Sequence, residues 1–174
     1  MKIIIYGSQY GTAQRYALEL AGRTGIKAVR YEDIADIGAY DTVIYIGALY
    51  AGGVLGMKKT LGKADCGGKR IIIATVGLAD PADGENIRNI RSGMRKQLAG
   101  EVYDKAQIFH LRGGIDYSKL NLKHKTMMSL LYRKAVGLPE AKKTAEVRAM
   151  IETYNKQVDF VDYAALDGII RAAE

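Results

Sequence analysis

Along the chain, short runs of β-branched and other apolar residues give way to turn residues and then to helical spacing, and the cycle repeats. The runs cover residues 2–6, 26–31, 42–46, 70–76 and 106–111. Most are apolar nearly throughout instead of alternating, which is the pattern of strands covered on both faces. Their length and their Ile and Val content favour strand over buried helix. Strands that alternate with helices predict a parallel sheet with crossover connections, an α/β fold.

Ala13, Tyr16, Ala17, Leu20 and Ala21 share one helical face and predict the first crossover helix. Ile87, Ile90, Met94 and Leu98 form a second stripe, with Asp83 placed to cap it. A shorter helix is expected over residues 55–62. Near the C-terminus, Asp162 can cap a helix with the stripe Tyr163, Leu166, Ile170 and Ala173, and Val161 and Leu166 stand where a hydrophobic staple would place them. Between the fifth run and that helix the alternation breaks. A helix is predicted over 119–136, then a break at Gly137 and Pro139, then a second helical stretch around 143–154.

With 174 residues, 48% of them hydrophobic and 26% charged, the chain reads as a single domain over 1–174. No apolar run approaches the ~20 residues of a membrane span. The N-terminus enters a strand without the charged, apolar and small-residue succession of a secretory leader, which predicts a cytoplasmic location. Cys66 is the only cysteine, which excludes an internal disulfide, a cysteine-ligated iron–sulfur cluster and a four-cysteine zinc site. His110 and His124 fall on different predicted elements, so no metal site is expected. Redox chemistry, if present, must rest on an organic cofactor. The net charge of +7 is unevenly spread: residues 117–158 hold nine Lys or Arg against three Glu, a net +6, leaving 17 basic and 16 acidic residues elsewhere. The basic character belongs to one segment.

In a sheet of this kind ligands bind outside the carboxyl ends of the strands, where the strand order reverses. The first loop there is Gly7, Ser8, Gln9, Tyr10, Gly11, Thr12 and Ala13. A tight turn rich in small and hydroxyl residues at a helix start aims backbone N–H groups, hydroxyls and the positive helix end at one point, and a phosphate is its natural occupant. The loop lacks the Gly-Lys-Ser/Thr ending of a triphosphate loop and the Gly-x-Gly-x-x-Gly of a dinucleotide loop, so a terminal monophosphate fits better. A helix start with no ligand uses the same residues, and loop chemistry alone leaves both readings open.

The segment from Tyr6 to Gln14 resembles the phosphate loop of the flavodoxin family, usually Ser/Thr-x-Thr-Gly-x-Thr, and the resemblance extends over essentially the whole chain. Ser8 and Gly11 keep their places, Tyr10 and Ala13 stand where threonines are usual, and Thr12 supplies a hydroxyl one position early. The resemblance implies a flavodoxin-like three-layer sandwich, with a five-stranded parallel sheet of order 2-1-3-4-5 and a helical insertion between strand five and the last helix. It also implies FMN, its phosphate held by Ser8, Thr12 and the backbone N–H groups from Gln9 to Ala13. Arg15 is near enough to assist, although a solvated place on the outer helix face is the simpler reading. The loop after strand three, with Ala48, Leu49, Tyr50 and Ala51, would border one face of the flavin ring, Tyr50 stacking on it or simply covering the sheet end. The loop of Gly77, Leu78, Ala79 and Asp80 would border its pyrimidine edge through backbone groups.

More specifically, the run from His110 to Gly114, then Asp116-Tyr117-Ser118-Lys119-Leu120, then a Lys- and Met-rich helix ending near Leu131-Tyr132-Arg133-Lys134, resembles the quinone-linked protoporphyrinogen dehydrogenase branch of that family. Electron-carrier flavodoxins lack this insertion and are usually acidic. On a helix, Leu120, Met127, Met128, Leu131 and Ala135 form a stripe that includes His124, while Lys125 and Arg133 project away. Such a stripe serves either an adaptable ligand surface or ordinary packing on the sheet. The positive charge has three open uses: attracting porphyrinogen carboxylates, contacting an anionic membrane surface from the cytoplasmic side, or solvating an exposed segment. Nucleic acid is not expected, because no motif or aromatic interleaving accompanies the charge. The resemblance therefore implies an FMN-dependent oxidoreductase that passes electrons from a reduced substrate to a quinone or partner protein, with no side-chain acid or base singled out. A non-enzymatic electron carrier is the alternative, and the residues Tyr10 and Ala13 keep open a domain of this fold without cofactor.

Overall fold

A computed structural model describes residues 1–62 and 64–174. Five strands form the parallel sheet: β1 (Lys2–Gly7), β2 (Ala28–Arg30), β3 (Thr42–Tyr50), β5 (Arg70–Gly77) and β6 (Gln107–Arg112), and β4 (Gly53–Val54) pairs antiparallel with the end of β3. Their spatial order is β2-β1-β3-β5-β6, the order expected from the sequence. Register places Ile4, Ile44 and Ile72 in one row across the sheet, and Ile3, Val43 and Ile71 in the next. Successive side chains point to opposite faces, so each row builds a different core. The first joins Tyr16, Ala17 and Leu20 of α1 (Thr12–Thr24) and Ile169 of α7 (Asp167–Ala173). The second joins Met57 of α2 (Met57–Thr60), Met94 of α3 (Gly84–Arg95), and Val102 and Tyr103 of α4 (Gly100–Lys105). The result is a three-layer α/β sandwich.

Several boundaries moved, each for a physical reason. The strand expected over 26–31 shrinks to three residues, because as the sheet's edge it pairs only with β1. The third runs on to Tyr50 and returns into β4 through Ala51 and Gly52, with φ of 50° and 80°. Two successive positive φ values match the right-handed strand twist and give a two-residue hairpin. The helix expected over 55–62 keeps one turn, and α4, too short for a stripe, was not anticipated. Asp83 and Asp162 do cap: Asp83 accepts from the Glu85 and Asn86 N–H groups, Asp162 from that of Ala164. The last helix opens with a 3-10 turn at Tyr163–Leu166, and that tighter turn shifts the phase so that Ile169 is fully buried where Ile170 was expected.

The insertion holds α5 (Leu122–Val136) and α6 (Ala145–Thr153). Its stem is an unanticipated antiparallel ribbon of β7 (Gly114–Asp116) and β8 (Gln157–Asp159). Ile115, Tyr117 and Met128 form a third, smaller core against Tyr10, Met150 and Tyr154.

On β6, His110 has its Nδ1 2.7 Å from the Thr75 hydroxyl, and Arg91 Nε donates to its Nε2 at 3.4 Å. Burial, then the Arg91 charge, lowers its pKa from the ordinary 6.5 to about 4. The unfolded chain therefore binds the extra proton first: stability is fully present above about pH 6.5 and is lost as pH falls toward 4. After allowance for partial exposure the loss is on the order of 1–2 kcal/mol. Urea unfolding at pH 7.5 and 4.5 checks this, since His110→Gln is expected to lose less stability than the wild type over that interval.

Candidate functional site

Gly7 ends β1 beneath residue 55: a Cβ there would stand 2.2 Å from the Leu55 carbonyl oxygen. The chain then turns into α1 at Gly11, whose φ of 91° is a left-handed conformation that favours glycine. No side chain caps α1. The N–H groups of Gln9, Tyr10, Gly11, Thr12 and Ala13 meet no acceptor among the described residues. Ser8 Oγ is buried without a hydrogen-bond partner. Buried polar groups are nearly always paired, so the Ser8 hydroxyl stands out, and with the open N–H groups of a helix start beside it the loop is suited to an anion. Thr12 stands beside them, but its hydroxyl donates to the Gly114 carbonyl at 3.1 Å, which commits its proton to β7. Arg15 forms a half-exposed ion pair with Asp159 at 2.9 Å, in keeping with a place on the outer helix face.

From this loop a cavity of about 400 Å³ extends along the carboxyl ends of the strands, within the ~300–1,000 Å³ range of small-molecule sites. Ser8, Tyr10, Thr12 and Ala13 line its first end. Ala48, Leu49, Tyr50 and Ala51 line one wall, not as the loop expected after strand three but as the last residues of β3 and the first of its hairpin turn. Gly77 and Leu78 line the far side. Four expected residues lie off this cavity. Gly11 faces a neighbouring depression, and Ala79 is buried beneath the loop. The Asp80 side chain closes its own turn by accepting from the Ala82 N–H at 2.8 Å. Gln9 Nε2 donates to His124 Nε2 at 3.0 Å.

The roof is the insertion. From α5 come Met127, Met128 and Leu131, from α6 Glu146, Val147 and Met150, and Gly113, Gly114 and Ile115 complete the rim. Tyr10 donates to the Met128 sulfur at 3.9 Å and Tyr50 to that of Met127 at 3.8 Å. The Tyr10 and His124 rings meet edge to face at 5.7 Å. Burial, then the neighbouring Tyr50 hydroxyl, raises the Tyr10 phenol above its ordinary value, so it stays neutral. Arg112 Nε donates to the Leu78 carbonyl at 3.0 Å, and its guanidinium lies 3.8 Å from the Phe160 ring, which fixes the β5 loop to the insertion stem. Sequence reasoning identified the Met pair but left its use open. It missed the α6 residues, which carry no motif.

These residues suit FMN. The open donors and the unpartnered Ser8 hydroxyl match a phosphate, and the long apolar space between Leu49, Tyr50, Leu78 and the three methionines matches a flat ring. Among the described residues no cluster of His, Cys, Asp or Glu could hold a metal. The site can bind, orient and shelter a redox group.

A family model described as a flavodoxin domain matches residues 3–158. No curated protein matches the chain.

Proposed function

The chain belongs to the flavodoxin domain family, which binds FMN, and from that premise we propose that it is an FMN-dependent oxidoreductase resembling protoporphyrinogen dehydrogenase. Bound FMN supplies one- and two-electron transfer. Ser8 and the backbone N–H groups of Gln9 to Ala13 would hold its phosphate, and Leu49, Tyr50, Gly77 and Leu78, which line the cavity, would hold its ring. The observation that carries the enzymatic reading is the roof. Met127, Met128 and Met150, carried on the insertion, form an apolar and adaptable roof to the cavity, a surface that supports a flat porphyrinogen or quinone approaching the flavin from that side.

The outer side of α5 supports contact with an anionic membrane surface, where quinones reside. Leu122 and Leu130 are 81% and 62% exposed among Lys123, Lys125, Arg133 and Lys134, and no acidic residue occurs between Asp116 and Glu140. Each such cation near anionic lipid contributes ~1 kcal/mol. Among the described residues no helix is long and apolar enough to cross a membrane.

The protein, loaded with FMN, is expected to lose its visible flavin absorbance on anaerobic addition of protoporphyrinogen. The absorbance should return on adding quinone-bearing vesicles, faster with anionic than with neutral lipid. Loading without bleaching would rule out the substrate. The same basic face also supports a second reading, a carrier that docks acidic redox partners. A potentiometric titration separates the two, because a carrier gives two well-spaced one-electron steps and a two-electron enzyme gives one.

A further inference from the structure

Glu146 is an acid within a strongly basic segment, yet it enters no ion pair among the described residues. It turns inward instead. From the first turn of α6 its Oε1 and Oε2 accept from the N–H groups of Leu78 and Ala79 at 3.4 and 3.2 Å, and Oε2 lies 3.4 Å from the place a Cβ on Gly77 would occupy. Among the described residues it is the only carboxylate that lines the cavity at the strand ends, and it also lines the smaller cavity beyond Tyr50. The two N–H groups fix its orientation, and each oxygen keeps a lone pair able to accept another donor.

The strand-end cavity is thus polar in two opposite senses. At Ser8 and the start of α1 it offers donors without acceptors; at Glu146 it offers an acceptor; between them its walls are apolar. A ligand that satisfies all three parts has an anion at one end, a flat apolar body and an N–H at the other end. We infer that Glu146 is a cofactor-positioning residue that accepts a hydrogen bond from the imide N3–H of the flavin ring. This rests on the FMN reading above. It gives the insertion a part in holding the cofactor, because α6 brings the acceptor for the ring just as β1 and α1 bring the donors for the phosphate. A charged acceptor also makes the site selective, since a ligand without the N–H leaves the half-buried carboxylate short of a partner.

The test compares FMN with N3-methyl-FMN, which lacks that donor, by fluorescence titration of the full chain and of Glu146→Ala and Glu146→Gln. Circular dichroism verifies that the variants fold. The ratio of the two dissociation constants is the readout, because loosening of α6 weakens both ligands alike. The wild type is expected to favour FMN at least tenfold. In Glu146→Ala the preference should fall to within twofold, and in Glu146→Gln, whose amide oxygen still accepts, it should fall at least threefold. If Glu146→Ala does not fold, the Glu146→Gln ratio decides. A wild type that binds FMN without preference, or variants that keep the wild-type ratio, would overturn the role of Glu146 and leave the FMN reading standing. A wild type that binds neither ligand overturns both.

Discussion

Alanine at Gly7 is expected to destabilise the protein by roughly 2–4 kcal/mol, the largest effect of any single methyl group at the site. The added carbon would stand 2.2 Å from the Leu55 carbonyl oxygen and 3.0 Å from its carbon. Both are backbone atoms, so no side-chain rotation relieves the overlap. Either β1 leaves its register, in which Gly7 lies opposite Gly47, or the chain at Leu55 withdraws. Withdrawal breaks the bond that the buried Tyr45 hydroxyl donates to the same carbonyl at 2.6 Å, leaving a phenol without a partner. Gly11→Ala is the contrast. Its Cβ meets nothing within 4 Å, and its only penalty is the φ of 91°, about 1 kcal/mol. Urea denaturation midpoints should rank wild type above Gly11→Ala and Gly11→Ala well above Gly7→Ala. Equal midpoints for the two variants would contradict the close crossing at Leu55. Because Ser8 follows directly, Gly7→Ala is also expected to weaken FMN binding.

The sheet was readable because its central strands β1, β3 and β5 are buried on both faces and carry their signal in composition: the rows through Ile4, Ile44 and Ile72 come from runs that little but a strand would contain. The first loop and the ends of β3 and β5 were readable for a related reason, since a parallel sheet places its ligand at strand ends. What was hidden is pairing over long sequence distance. β7 and β8 have three residues each, too few for a pattern, and they meet only because the insertion closes on itself. The direction of the insertion was hidden with them. The Met stripe could be counted from the sequence, but whether it faced the sheet, a ligand or another helix depended on that stem. In the structure it faces the cavity, with Leu131 still 43% exposed, so it is neither a plain packing stripe nor a free surface. Thr12 is the instructive residue within the loop. A hydroxyl near a phosphate position reads as a ligand, yet the carbonyl at Gly114, brought there by β7, takes its proton.

Replacing Ser8 with alanine is expected to move stability and affinity in opposite directions. Its hydroxyl is buried and has no protein partner, so without ligand it contributes desolvation and no bond; removing it should leave the cofactor-free protein as stable as before or more stable by up to about 1 kcal/mol. With FMN present, a hydrogen bond to a charged oxygen is lost, which amounts to ~1.5–3 kcal/mol, or roughly a tenfold to hundredfold weaker dissociation constant. Riboflavin has the same ring without the phosphate, so its affinity should be unchanged in Ser8→Ala. Thr12→Val should behave the other way. It deprives the Gly114 carbonyl of a donor and destabilises the protein by about 1 kcal/mol, with a smaller effect on FMN than Ser8→Ala has. Equal weakening of FMN and riboflavin by Ser8→Ala would place the phosphate away from Ser8. Loss confined to FMN assigns the unpartnered hydroxyl to the phosphate, and with it fixes which end of the cavity is the anion end.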